Sequence, residues 1–208
     1  MKQHILIYPS YFPPIATMVA IAKADKITLE IQDNYQKQTY RNRTYIAHSN
    51  GKLLLNIPIR HSKNALRQKT KQVGPDNNFP WLSEHWKSIQ VAYRTSPYFE
   101  YYEDDLEPLF KKPILNLQDF NIKIVDTIAE LIGLEAVFLT SSVFEKQTQL
   151  KDMRHLANCK KEPRYNFDTY HQVFEANHGH IENLSILDLL FNEGPNTLHY
   201  LQNQTLEN

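Results

Sequence analysis

Residues 5–31 read ILIYPSYFPPIATMVAIAKADKITLEI, and this stretch decides the fold. Ile5-Leu6-Ile7-Tyr8 is a short apolar run stopped by Pro9, the pattern of a buried strand. Pro9 to Pro14 is a stiff aromatic loop. Ile15, Met18, Val19 and Ala22 then share one face of a helix predicted over 15–24, with Pro13 and Pro14 suited to its entry. Ile27-Thr28-Leu29-Glu30-Ile31 alternates with period two and predicts a second strand. Strand, helix, strand makes a βαβ unit, so the two strands should be parallel with a right-handed crossover.

Outward from this unit, Arg43–His48 and Leu53–Ile59 are β-rich and joined through Asn50-Gly51, a strong hairpin signal because both residue types accept positive φ. Pro58 marks a strand end or an edge. From Pro80 the period becomes helical: Leu82, Trp86, Ile89 and Tyr93 form one stripe, and Phe99, Tyr102, Leu106 and Leu109 the next. Ser96-Pro97 reads as the cap of that second helix, Asn116 as the cap of a third, and Gly133 as its end. Val137–Leu139 predicts a strand running into Ser141-Ser142. Residues 145–168 are polar, with a short helix expected within Gln149–Asn158. Ser185-Ile186-Leu187-Asp188 has the form of a capping box, and Gly194-Pro195 closes the helix it opens. The expectation is a single α/β domain over 1–208: a mixed sheet with a βαβ-like start, an antiparallel hairpin and a helical layer over 80–133.

Composition narrows the function. The 208 residues carry 23 Lys and Arg against 23 Asp and Glu, so net charge argues against a nucleic-acid partner for the chain as a whole. Gly is scarce, with 5 residues, and neither GxGxxG nor GxxxxGK[ST] occurs, which excludes the usual dinucleotide and P-loop cradles. One cysteine, Cys159, fits a reducing cytoplasm, and no apolar run approaches the ~20 residues that span a bilayer. The first eight residues are too short for a signal-peptide core. Cys159 beside Lys160 and Lys161 reads as a stray thiol or as an activated one.

Tyr35-Gln-Lys-Gln-Thr-Tyr-Arg-Asn-Arg43 sits between the βαβ unit and the hairpin. It reads either as a polar connector or as a site. Lys37 and Arg43 offer a point charge and a planar fork for a small anionic substrate, and Asn42 an amide that can read a hydroxyl. His85 and Lys87 flank Trp86, and a boundary His is a candidate acid–base. Arg60–Gln72 holds Arg60, Lys63, Arg67, Lys69 and Lys71 with no acid, so it is either a solvated loop or an anion-binding flap. Ser141 and Ser142 read as a cap or a nucleophile without the G-x-S-x-G elbow. His178-Gly179-His180 alone is a weak metal signal, and neither a metal nor another cofactor is expected.

The chain also resembles the WbqC-like family, first noted in bacterial surface-polysaccharide gene clusters. The matching pieces are Tyr8-Pro9, Tyr11-Phe12-Pro13, Ala24-Asp25, Tyr35-Gln36-Lys37, Asn42-Arg43, Gly51 and Pro58. Further on they are Trp81, His85-Trp86-Lys87-Ser88-Ile89, Ala92-Tyr93, Pro97-Tyr98-Phe99, Ser141-Ser142 and Asn183 to Pro195. Residues 145–170 depart from the family pattern by abbreviation. The resemblance implies a transferase acting on a sugar-linked or anionic substrate, in surface-polysaccharide biosynthesis. It puts Lys37, Asn42, Arg43, His85 and Lys87 in one frame, with His85 as acid–base and Asn42 and Tyr93 orienting the acceptor. A non-enzymatic ligand-binding or assembly factor would use the same residues without the acid–base.

Overall fold

The computed structural model describes residues 3–60, 68–160 and 162–206. The first strand β1 (His4–Ile7), helix α1 (Ile15–Ala22) and strand β2 (Lys26–Leu29) form the expected parallel βαβ unit, with His4 opposite Lys26 and Ile7 opposite Leu29. β5 (Val137–Thr140) adds parallel to β2, and β6 (Lys151–Asp152) adds parallel to the far side of β1. The sheet order is β5-β2-β1-β6. Ile5, Ile7, Ile27 and Leu29 are each at most 1% exposed. Each such burial is worth ~1.5–3 kcal/mol, which explains why two short strands suffice to centre the sheet.

All eight residues of α1 are buried, as a helix without charges must be. Its first amides are satisfied from outside: Ile15 N–H donates to the Leu184 carbonyl and Ala16 N–H to Asn183 Oδ1. The helix entrance is therefore plugged by protein acceptors, and no phosphate cradle is left there.

The hairpin is β3 (Arg43–His48) with β4 (Gly51–Asn56), antiparallel as expected, and it forms a sheet of its own. Its two-residue turn is Ser49-Asn50, and Gly51, at φ 105°, opens β4 opposite His48. Positive φ thus falls on Gly51 and not on Asn50, because the turn pair is Ser49-Asn50 and Gly51 already belongs to β4. Side chains dock the hairpin: Thr44 Oγ1 donates to the Phe12 carbonyl, and Ala47 N–H donates to the Tyr93 hydroxyl.

The helical layer holds α2 (Trp81–Tyr93), α3 (Phe99–Leu106) and α4 (Leu117–Leu131). Asn116 caps α4 as expected, accepting from the amides of Gln118 and Asp119. Ser96 does not cap α3; its hydroxyl turns back to the Tyr93 carbonyl and closes α2. A short helix expected within Gln149–Asn158 is instead β6 followed by a 3-10 turn over Arg154–Ala157. The chain ends in α5 (Glu175–His178), α6 (Ile186–Glu193) and α7 (Thr197–Asn203). Among the described residues, no helix is long and apolar enough to cross a membrane. Of the basic Arg60–Gln72 stretch, Lys63 and Arg67 lie outside the described residues.

Candidate functional site

At β1 the strand order reverses. The chain leaves β1 through α1 toward β2 on one side, and β6 flanks β1 on the other. In open α/β sheets, ligands bind beyond the carboxyl ends of strands at such a point. A cavity of about 320 Å3 lies there, lined by Tyr8, Gln36, Thr39, Arg41, Phe144, Arg154, His155, Ala157 and Asn158. Tyr8 follows β1, Arg154 follows β6, and Gln36, Thr39 and Arg41 come from the polar connector ahead of the hairpin.

Two guanidiniums face this crevice from separate segments. Arg41 is 2% exposed; its Nη2 donates to Asp33 Oδ2 at 2.8 Å, and its Cζ stacks 3.6 Å from the centroid of the Tyr8 ring. Its Nη1 reaches Thr39 Oγ1 at 3.3 Å, while its Nε has no partner among the described residues. Arg154 is held more fully. Its Nε and Nη2 grip Asp152 at 2.9 and 2.6 Å, and Nη1 and Nη2 donate to the carbonyls of Glu145 and Lys146. This fork holds the Asp152 carboxyl below its usual range.

Glu30, the residue after β2, lies behind Arg154 and is 1% exposed. Its Oε1 accepts from Ser141 Oγ at 2.7 Å and from the Gln32 amide at 2.7 Å, and its Oε2 is 4.0 Å from Arg154 Nη1. Ser141 therefore neither caps a helix nor stands free; it ties the end of β5 to the end of β2. Burial pushes the Tyr8 phenol up, with Arg41 pulling the other way, so the ring presents a neutral hydroxyl. His155 is exposed at the mouth. Lys37, Lys146 and Lys160 lie on the segments around that mouth, against Glu145. Among the described residues, the lining itself carries the two guanidiniums and no carboxylate, with Glu30, Asp33 and Asp152 set behind it.

The two walls are fastened to each other. Tyr40 N–H donates to the Ala157 carbonyl at 2.9 Å, and the Cys159 thiol donates to the Gln38 carbonyl at 3.0 Å. The Tyr40 hydroxyl donates to Glu162, whose carboxyl burial pushes up. Gln38 takes φ 58°, and that reversal turns the connector so that Thr39 and Arg41 face the crevice.

The residues singled out from sequence divide. Lys37 is exposed on the crevice loop. Asn42 is 6% exposed, and its amide donates to Asn56 Oδ1 and the Ile57 carbonyl, closing the open end of the hairpin. Arg43 begins β3 opposite Asn56, half-buried. His85 is buried among Tyr11 and Trp81; its Nδ1 meets the Tyr11 hydroxyl at 2.8 Å, and burial pushes its pKa down to about 4 while the Asn56 carbonyl opposes. Expected at a boundary, it is a neutral core imidazole, because its neighbours are aromatic on both sides. Tyr93 is fully buried, with its hydroxyl donating to Asp188 at 2.8 Å and accepting from Ala47 N–H. Lys87 is exposed on the opposite face of α2, beside His48, Leu53 and Val91. Asn42, Arg43 and His85 thus meet around Asn56; none of the six lines the crevice, and Lys37 alone lies on the loop that does, between Gln36 and Thr39.

Sequence reasoning passed over Tyr8, Glu30, Arg41 and Arg154. Tyr8 and Glu30 each stand directly after a parallel strand, and that position was a readable signal. Arg154 had none, since it follows a two-residue strand. Among the described residues, no three or more His, Cys, Asp or Glu side chains are placed to share a metal ion.

The sequence profile of the WbqC-like protein family matches residues 8–167, which span the crevice from Tyr8 to Asn158. The chain is 23% identical over 229 aligned residues to the uncharacterized protein Rv1507c of Mycobacterium tuberculosis (strain ATCC 25618 / H37Rv), covering 97% of this chain and 98% of that one. No solved structure matches.

Proposed function

The chain belongs to the WbqC-like protein family, and from that premise we propose that it transfers a group to or from a small anionic, sugar-linked molecule held in the crevice. The observation that carries this reading is the pair Arg41 and Arg154, brought from separate segments to one small cavity at the carboxyl ends of β1 and β6. Buried guanidiniums are costly unless they are paired, and here Asp33 and Asp152 hold the two in place beside the cavity. In this proposal Arg41 and Arg154 hold the anion, Lys37 draws it to the mouth, and Gln36, Thr39 and Asn158 read hydroxyls. His155 is the acid–base, because its exposed imidazole lines the cavity mouth, where it can pass a proton to or from the bound molecule. Asn42, His85 and Tyr93 hold the hairpin and α2 behind the wall. Surface-polysaccharide assembly in the cytoplasm is the proposed setting, resting on family resemblance and the single cysteine.

A second reading is a ligand-binding factor without chemistry. It is favoured by one observation: among the described residues no carboxylate lines the crevice, and the nearby Glu30, Asp33 and Asp152 each bind a protein side chain. Replacing His155 with Gln separates the two. Transfer should fall by ~100-fold with ligand affinity kept, as loss of an acid–base does. Retained cellular function in His155→Gln would leave the binding factor as the better reading.

A further inference from the structure

We infer that the crevice is a subsite for the phosphate monoester of a sugar-sized polyol, and that it does not accept a whole nucleotide sugar. The inference rests on the proposed anion-binding role and sharpens it to one ligand class. Four observations lead to it.

Size comes first. About 320 Å3 is near the bottom of the ~300–1,000 Å3 spanned by small-molecule pockets. A polyol phosphate fits within such a space, whereas most of a nucleoside diphosphate attached to a hexose would lie outside it. Second, the places where a nucleotide would be held are already taken. The entrance of α1 is occupied by the Leu184 carbonyl and Asn183 Oδ1. The two aromatic rings lining the cavity each carry a guanidinium, with Arg41 Cζ 3.6 Å from the Tyr8 centroid and Arg154 Cζ 5.4 Å from that of Phe144. A base would have to displace a cation to stack there.

Third, the cations come from different walls. One guanidinium fork satisfies a planar carboxylate. A phosphate presents three terminal oxygens in three directions, which suits donors that approach from two sides. Arg41 lines the cavity from the connector and Arg154 lines it from the turn after β6. Fourth, apart from the two guanidiniums and His155, the polar lining is uncharged: Tyr8, Gln36, Thr39 and Asn158. Amides and hydroxyls are the groups that pair with a polyol's hydroxyls without adding charge.

The test is calorimetric titration of the purified chain with four probes: glucose 1-phosphate, inorganic phosphate, glucuronate and UDP-glucose. Glucose 1-phosphate should bind at least about tenfold tighter than inorganic phosphate, the hydroxyl contacts supplying the difference, and inorganic phosphate should compete with it. UDP-glucose should bind no tighter than inorganic phosphate. Arg41→Lys keeps a cation beside Asp33 but loses the fork, and it should weaken glucose 1-phosphate by about tenfold or more. Asn158→Asp, at an exposed position on the lining, should weaken it too by placing a negative charge in the cavity. Tighter binding of UDP-glucose or glucuronate than of glucose 1-phosphate, still sensitive to both variants, overturns the sugar-phosphate assignment and leaves the anion site standing. If no probe binds, or neither variant changes binding, the anion-binding reading falls with it.

Discussion

Arg41 Nη2 lies 2.8 Å from Asp33 Oδ2, and both side chains are 3% exposed. The pair joins the end of the βαβ unit to the loop that enters the hairpin. Asp33 Oδ1 and Arg41 Nε have no partner among the described residues, so the Nη2–Oδ2 contact is what joins the two charges. Removing one partner leaves an uncompensated buried charge, which costs ~3–5 kcal/mol. Arg41→Ala and Asp33→Ala should each lose that much in urea unfolding followed by circular dichroism. The double variant should lose clearly less than the sum of the two. Additive losses would mean the pair is not coupled.

Asn116 gives a smaller, local effect. Its side chain accepts from two amides of the first turn of α4, and its own amide donates to the Lys71 carbonyl. Asn116→Ala should cost about 1 kcal/mol, and Asn116→Asp should recover most of it through the retained acceptor and the helix dipole. Equal stability for all three chains would show that the cap is not used.

The βαβ unit was legible because apolar runs and a helical stripe follow one another within 27 residues, from Ile5 to Ile31. The site was legible only as a stretch. The connector from Tyr35 to Arg43 does form a crevice wall, but the inward-facing cation is Arg41, two residues before Arg43. In a strand or helix, periodicity says which residues share a face. In a loop it does not, and here the reversal at Gln38 sets the facing. Arg154 was hidden for another reason. β6 has two residues, both with exposed side chains, and it joins the sheet through backbone pairing with Ile5 and Leu6. Nothing apolar announces it. Asp188 read as the reciprocal half of a capping box, yet only Ser185 caps, through the Leu187 amide; the Asp188 carboxylate turns inward to Tyr93 and Tyr170.

Gly194 closes α6 at φ 53°, and a Cβ built on it would lie 2.5 Å from the Tyr98 ring. That backbone conformation, φ 53° with ψ −123°, alone costs a non-glycine residue about 1–3 kcal/mol. The ring contact adds to it, because Tyr98 is tied to α6 by its backbone N–H to the Phe191 carbonyl. Gly194→Ala should therefore lower the thermal midpoint, and a second change, Tyr98→Ala, should recover only the steric part. Full recovery would assign the whole cost to the ring; none would assign it to the backbone.

His85 and Asp188 should give opposing pH dependences in the same window. Burial pushes His85 from 6.5 down to about 4, so as pH falls the unfolded chain takes the proton first. Its contribution to stability is present above the unfolded value and is lost as pH falls through that range. Asp188 is pushed from 3.8 up to about 6, again by burial, against the hydrogen bonds from Tyr170 and Tyr93. Its contribution is present below the unfolded value and is lost as pH rises through the folded one. Each shift corresponds to roughly 3 kcal/mol, with a slope of at most about 1.4 kcal/mol per pH unit. Between about pH 4 and pH 6 the two slopes cancel, since folding releases a proton at His85 and takes one up at Asp188. Urea unfolding across this range should show the balance broken in opposite directions. Relative to the unaltered chain, Asp188→Asn should gain stability as pH rises, and His85→Gln should lose it. Other titrating groups are common to all three chains and drop out of the comparison. Variant curves that run parallel to the unaltered one would mean that neither group changes its proton occupancy on folding.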